Sequence, residues 1–443
     1  MFESFIFNTL LGCLLGSMAG LIPGAGITIT LMIVYPYLLG LDLLPLLGFY
    51  IGVANLAQFT GSITAIYFGM PGEANSIPAV HEGYALNKQG KAHQAIVGTS
   101  LGSTLAGVIA LILLVVISPW FLDFFKLFYN LAFQMSLFTF VVIVFLFVGR
   151  NPWWVNVLVM LAGYFIGKIG YNIYTAEYQY TFGLVDLKNG IPFYPLLLGL
   201  LVVPHIFVWE DKQILSKQII KNYDAFKIWL KDIKHSLAGT LIGLLCGLVP
   251  GMGTVLATNL SHKFSKGKTK GASYPALVSA ESANNSAVLT TLVPLVVIGV
   301  PITMSEALLV NIMERSLLEV NWSILIESGK PLWLLISVAM SLTIGLVVSW
   351  PLSRTVQTLL IKFGNYLPYL VMAILLCTLV YVGNMNYALW FHILVFVIAS
   401  IVGLSFRKID MLPLVFLFLI SDRLDFVWTA FSRLYRIRYE VLS

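Results

Sequence analysis

The chain has 443 residues, of which 59% are hydrophobic and only 10% charged, with three cysteines and a formal net charge of +6. With a mean hydropathy of +0.90, this excludes an ordinary soluble domain, which needs far more charge to cover its surface. No nucleic-acid partner is expected, because lysines in short loops that orient the chain in a membrane account for the positive charge.

Uncharged runs of roughly 20 residues recur, long enough at ~1.5 Å per residue to cross a ~30 Å hydrocarbon layer. About ten to twelve segments of this kind are expected. The clearest cover 95–118, 135–149, 153–167, 191–208, 276–297, 331–350, 366–382 and 387–406. The short alternating stretches of a membrane barrel are not found, so the expected class is an all-α polytopic membrane protein. The start, MFESFIFNTLLGCLLG, has no basic residue before its apolar run and is expected to stay in the mature chain. Cys13, Cys246 and Cys377 lie in apolar segments without metal-ligand spacing, and read as small packing residues.

The first segment, GCLLGSMAGLIPGAG from Gly12 to Gly26, returns as GTLIGLLCGLVPGMG from Gly239 to Gly253, a shift of 227. Eight of the fifteen positions are identical. At a shift of 230, Asn55 falls on Asn285, Thr60 on Thr290, Gly69 on Gly299 and Pro71 on Pro301. The chain therefore contains two repeats, expected over 1–209 and 236–443, joined by a charged cytoplasmic linker at 210–235. In that linker Ile219, Ile220, Phe226, Trp229, Leu230 and Ile233 have the spacing of an amphipathic helix on a membrane surface.

Loop charge suggests how the repeats are oriented. In the first repeat, the loop after the first break has only Asp42, and the loop after the second has Lys88 and Lys91. In the second repeat Lys263, Lys266, Lys268 and Lys270 follow the first break, whereas a mixed set, Glu314, Arg315, Glu319, Glu327 and Lys330, follows the second. Equivalent loops thus fall on opposite sides under the positive-inside rule, the signature of inverted-topology repeats. The tail with Arg433, Arg436 and Arg438 departs from strict inversion.

Glycines at every fourth position make a smooth face for close helix packing. The Pro-Gly-x-Gly that follows is different. Pro23 and Pro250 remove backbone donors, and Gly24, Ala25, Gly26, Gly251 and Gly253 make a short stretch suited to non-helical backbone. Unpaired main-chain groups in hydrocarbon each cost several kcal/mol, so broken or re-entrant helices at this depth imply a lined cavity. The segments that follow, with Thr28 and Thr254, would begin half-helices whose positive ends suit an anion, while nearby carbonyls and hydroxyls suit a small cation. Glu281 is the one charged residue between Lys270 and Glu306, about 16 Å along a helix and so near the bilayer centre, with Asn284 and Asn285 on its face. In the first repeat Asn55, Gly61, Ser62, Thr64, Pro71, Gly72 and Glu73 form the matching set, and Gly299 and Pro301 make the second break of the second repeat. His81, Glu82 and Glu306 are expected on the surface.

LIPGAG, GSITAIYFGMPGEANS followed by HEGYALNKQGKA, YTFG at Tyr180 to Gly183, LVPGMG, ESANN and GVP, in that order, resemble the signature blocks of the large membrane subunit of tripartite tricarboxylate transporters, the TctA family. The resemblance implies a bacterial or archaeal inner-membrane permease. It would work with a small membrane subunit and an extracytoplasmic solute-binding protein, importing carboxylates with a cation gradient, usually sodium, and no other cofactor. It implies transport-site roles for Pro23 to Gly26, Pro250 to Gly253, Gly61 to Thr64, Pro71 to Gly72 and Asn284 to Asn285. Ile302 stands where the family commonly has glycine, and ESANN replaces the usual EAANN. An anion channel and a non-transporting membrane partner subunit are the alternatives. None of the six histidines joins a recognisable enzymatic set, so no enzyme is expected.

Overall fold

The computed structural model describes residues 1–21, 26–69, 74–126, 151–172, 177–192, 195–196, 198–206, 222–249, 253–267, 271–318, 331–350 and 389–411, with scattered positions within 139–146, 355–380 and 413–421. Two compact units emerge, each assembled from two stretches of chain. Unit one takes Met1–Asp123 and His205–Ala373, and unit two takes Phe124–Pro204 and Ile374–Ser443.

Unit one begins with α1 (Phe2–Leu21), α2 (Gly26–Ile33), a single turn α3 (Tyr35–Leu38), α4 (Leu43–Phe68), α5 (Ile77–Lys88) and α6 (Ala92–Lys126). After the linker come α8 (Asn222–Lys231), α9 (Ile233–Cys246), α10 (Gly253–Lys266), α11 (Tyr274–Ile298), α12 (Met304–Arg315) and α13 (Pro331–Ser349). Ser273 caps α11 by accepting a hydrogen bond from the Ala276 amide at 3.3 Å, with Pro275 in the first turn where its missing N–H costs nothing. Thr303 and Glu306 form a reciprocal capping box on α12.

The repeated glycines decide how the helices approach. A methyl group on Gly12, Gly16 or Gly20 of α1 would overlap the main-chain carbonyl of Phe49, Val53 or Ala57 of α4. Gly239 and Gly243 of α9, and Gly247 just past its end, meet the carbonyls of Ser279, Ala283 and Ala287 of α11 in the same way. The partners correspond pairwise, Phe49 to Ser279, Val53 to Ala283 and Ala57 to Ala287, in the same alignment that sets Asn55 on Asn285. The duplication seen in the sequence is therefore a duplicated packing contact. The central helix of the first set is buried almost all round, with 94% of an 18-residue stretch within Leu43–Tyr67 inside the protein. That burial suits a helix with no charged residue.

Four described helices are long and apolar enough to cross a membrane: Phe2–Leu21, Leu43–Tyr67, Ala92–Leu113 and Pro331–Ser349. The expected segments 135–149 and 366–382 lie largely outside the described residues. The linker helix α8 differs from its expected place on the lipid surface. Ala225 and Trp229 are buried in a core cluster with Ile66, Ile96 and Val278, and Trp229 Nε1 donates to the Ser236 hydroxyl at 3.0 Å. The Phe226 ring stacks parallel to Trp350, with centroids 6.5 Å apart. An apolar stripe satisfies protein and lipid equally well, so its periodicity could not choose between them. Ile219 and Ile220 lie outside the described residues, as do Arg433, Arg436 and Arg438.

Unit two contains α7 (Trp153–Gly167), a wide helical turn at Leu198–Val202 and α14 (Leu389–Ser405). It uses the same device. Gly163 of α7 meets the Leu414 carbonyl, and Gly199 and Gly403 let the wide turn and α14 touch backbone to backbone. A small antiparallel hairpin, β1 (Gly170–Asn172) with β2 (Glu177–Gln179), pairs Tyr171 opposite Tyr178 and is a local departure from the all-helical expectation.

Replacing Gly243 with valine should lower the stability of the purified chain by about 1–3 kcal/mol or more, the usual cost of forcing side-chain volume into a filled contact. Gly40→Ala, where the nearest atom to a new methyl is 3.6 Å away, should leave the thermal midpoint in detergent unchanged.

Candidate functional site

The helix ends bracket the expected breaks. α1 ends at Leu21 and α2 starts at Gly26, while α9 ends at Cys246 and α10 starts at Gly253. Pro23, Gly24, Ala25, Pro250 and Gly251 lie between these ends, outside the described residues, as do Pro71, Gly72 and Glu73. The second breaks are described at their first residue. Gly69 ends α4 at φ +63° and Gly299 ends α11 at φ +70°, a left-handed conformation that glycine adopts without strain. Pro301 is buried beside the start of α12.

Between these breaks the buried polar side chains of unit one pair across helices. The Asn55 amide of α4 donates to the Ser341 hydroxyl of α13 at 2.6 Å. Its counterpart, Asn285 of α11, donates to the Ser103 hydroxyl of α6 at 2.7 Å. The two contacts are the same contact made twice. Each asparagine reaches a serine contributed by the opposite half of the chain. A second chain of amides crosses three elements: Asn75 Nδ2 donates to Asn284 Oδ1 at 2.9 Å, and Asn284 Nδ2 donates to Gln58 Oε1 at 2.5 Å. Glu281, 3% exposed, sits one turn before this pair.

Other expected residues have local roles. Thr64 donates to the Gly20 carbonyl at 3.0 Å and so ties α4 to the end of α1. The Ser62 hydroxyl bonds its own helix at the Phe59 carbonyl. Gly26 and Gly253 are the buried first residues of α2 and α10, and Gly61 is buried on α4. Thr28 and Thr254 are half-buried near those helix starts. Gln58, Asn75, Ser103 and Ser341 were missed by sequence reasoning. Gln58, Ser103 and Ser341, polar residues on otherwise uncharged spans, left a signal that could have found them.

Glu82 and Glu306 require correction, although His81 is exposed as expected. Glu306 is fully buried and accepts hydrogen bonds from the amides of Ile302 and Thr303 at 2.9 and 3.1 Å. It fastens the second break to the start of α12. Glu82 of α5 is 1% exposed and accepts from His262 at 2.8 Å, from the Ser273 amide at 2.6 Å and from the Lys266 ammonium. These partners come from α10 and the start of α11, so Glu82 clamps one half of the chain to the other. Burial alone would raise its carboxyl, but the bonds from Lys266, His262 and Ser273 outweigh burial and hold it below the ordinary carboxylate range. Surface assignment failed because an isolated Glu in a polar stretch gives no sign that cations from the other half of the chain will cover it.

A model of the tripartite tricarboxylate transporter TctA family matches residues 6–418. The chain belongs to this family, and it is a multi-pass protein of the cell membrane. A protein of Agrobacterium vitis, described as an uncharacterized 52.8 kDa protein in the TAR-I ttuC' 3' region, is 27% identical over 318 residues. That match covers 68% of this chain and 62% of the relative, so it spans about three fifths of the relative's length. No solved structure matches the chain.

Replacing Glu82 with glutamine should destabilise the purified protein by about 1–3 kcal/mol at neutral pH, the cost of leaving buried partners unsatisfied. A lowered carboxyl pKa contributes stability above its unfolded value and loses it as pH falls through the folded value. Melting curves of the two proteins should therefore converge below the ordinary carboxylate range. A constant gap down to the lowest pH would contradict the clamp.

Proposed function

We propose that the chain is the permease subunit of a secondary transporter that brings organic carboxylate anions across the inner membrane. A cation gradient, in our reading of sodium, drives it. An extracytoplasmic solute-binding protein delivers the anion, and a small membrane subunit completes the assembly. Family membership supports the transporter class, and the observation that carries the residue-level reading is the buried amide chain Asn75–Asn284–Gln58, whose first member closely follows the first half's second break in sequence. Side-chain amides offer N–H donors to a carboxylate without the desolvation cost of a buried lysine or arginine.

The repeats 1–209 and 236–443, joined by 210–235, are taken to be inverted. Loop charge supports this orientation, and so does the exchange in which Asn55 and Asn285 each reach into the opposite half. The substrate set is read as Pro23 to Gly26, Thr28, Asn55, Gly61, Ser62, Thr64, Pro71 to Glu73, Pro250, Gly251, Gly253, Thr254, Glu281, Asn284, Asn285, Gly299 and Pro301. Asn284 is at its centre.

The test is uptake of labelled di- and tricarboxylates into proteoliposomes, under an imposed sodium or proton gradient and with or without the solute-binding protein. Gradient-driven accumulation is expected; passive equilibration that persists without a gradient would identify a channel. Asn284→Ala should cut accumulation by about tenfold or more while the subunits still co-purify, since one charge-assisted hydrogen bond is worth about 1.5–3 kcal/mol. Unchanged uptake in that variant would remove Asn284 from the site.

A further inference from the structure

Asn285 lies one helical turn beyond Glu281 on α11. This side of α11 faces α6, where Gly98 meets Tyr274 and Gly102 meets Val278 and Ser282. The Asn285 amide nitrogen donates twice, to the Ser103 hydroxyl at 2.7 Å and to the Glu281 main-chain carbonyl at 3.1 Å. A main-chain carbonyl only accepts, so the nitrogen must be on that side and the amide cannot be flipped. Oδ1 consequently points away from both partners. It is buried, and among the described residues no donor reaches it.

The Glu281 carboxylate is in the same condition. It is 3% exposed, and among the described residues it accepts no hydrogen bond and joins no ion pair. Two buried oxygen-bearing groups, one of them a carboxyl, thus share a helix face, and among the described residues neither the carboxyl nor Asn285 Oδ1 has a partner. Holding an ionised carboxyl at this depth is costly unless a cation balances it. Divalent ions favour several carboxylates or retained water, whereas a single carboxylate with neutral oxygens matches the charge of an alkali ion.

The other half of the chain provides an internal comparison. Asn55 makes the equivalent bond to Ser341, but the first-half positions that align with Glu281 and Asn284 are Ile51 and Ala54. The scaffold is duplicated and the carboxylate is not.

We propose that Glu281, Asn285 and Ser103 form a sodium-ion site inside unit one, one per chain. The Glu281 carboxylate and Asn285 Oδ1 are ligands, and Ser103 is a positioning residue that aims the Asn285 amide. The proposal rests on the reading of the chain as a cation-driven permease and divides its site in two. Asn284 turns toward Gln58 and Asn75 for the anion, and Asn285 turns toward Ser103 for the ion.

The experiment is equilibrium binding of radiolabelled sodium to the purified full chain in lipid nanodiscs at fixed pH, without carboxylate or partner subunits. Wild type should bind about one ion saturably, displaced by unlabelled sodium and not by choline. Glu281→Gln should weaken binding at least about tenfold. Ser103→Ala should weaken it severalfold, and Ser103→Thr, which keeps the hydroxyl, should restore it. Melting curves in the absence of sodium identify any variant that misfolds, and the Ser103 pair still decides the matter if Glu281→Gln does. Absence of saturable binding to wild type, or wild-type affinity in Glu281→Gln, overturns the site. So does a result in which no sodium binds and Glu281→Gln instead abolishes the pH dependence of uptake, since the ion is then a proton. Because binding is read without substrate, its failure leaves the permease reading standing. Intact binding with no carboxylate uptake would sink that reading and spare the ion site.

Discussion

Glycine faces laid against bare carbonyls, α1 on α4 and α9 on α11, set the distances on which everything else in unit one depends. In a membrane, helices gain little from burying apolar surface against each other, because lipid is equally apolar. Close backbone contact gives dispersion energy that lipid tails cannot match. With an ordinary side chain at Gly16 or Gly243, α4 and α11 would stand away from their partners, and the short cross-helix bonds of their polar residues would be out of reach.

The bonds those residues make are arranged by exchange. Asn55 of the first half finds Ser341 of the second, and Asn285 of the second finds Ser103 of the first. The same exchange recurs nearer the helix ends. Tyr35 donates to Asn311 of α12 at 2.9 Å, and His262, which aligns with Tyr35 when Gly12 is set on Gly239, bonds Glu82 of α5. Neither half could make these bonds alone, so these buried polar groups are paired only when both halves are in place. A buried amide without its partner carries the desolvation cost of both its donor and its acceptor.

On this shared frame the halves then differ. Ile51 and Ala54 keep the first half's central helix apolar where the second half has Glu281 and Asn284. Gln58 is polar where the second half has Val288, and it reaches across to Asn284. The shared packing frame thus holds the Glu281 carboxyl, on the second half only, and a line of amides drawn from both halves. Glu306 and Glu82 serve the frame, one tying a break to a helix start and the other tying the halves together.

Much of this could be read directly from the chain. The composition required membrane spans, and the spacing of Gly12, Gly16 and Gly20 with its echo at Gly239, Gly243 and Gly247 announced both the duplication and the close packing, because only glycine has no side chain to hold a neighbour off. Gly69 and Gly299 marked the second breaks for a similar reason, since a left-handed residue after a long helix strongly favours glycine. Glu281 and Asn285 stood out because an uncharged span makes any polar residue conspicuous. What only the tertiary structure decided was pairing: that Ser103 and Ser341 answer the asparagines, that Glu82 is buried under Lys266 and His262, and that Trp229 packs into protein. Local sequence sets what a residue can bond or bury. Which partner arrives depends on helices far apart along the chain, and no periodicity records that.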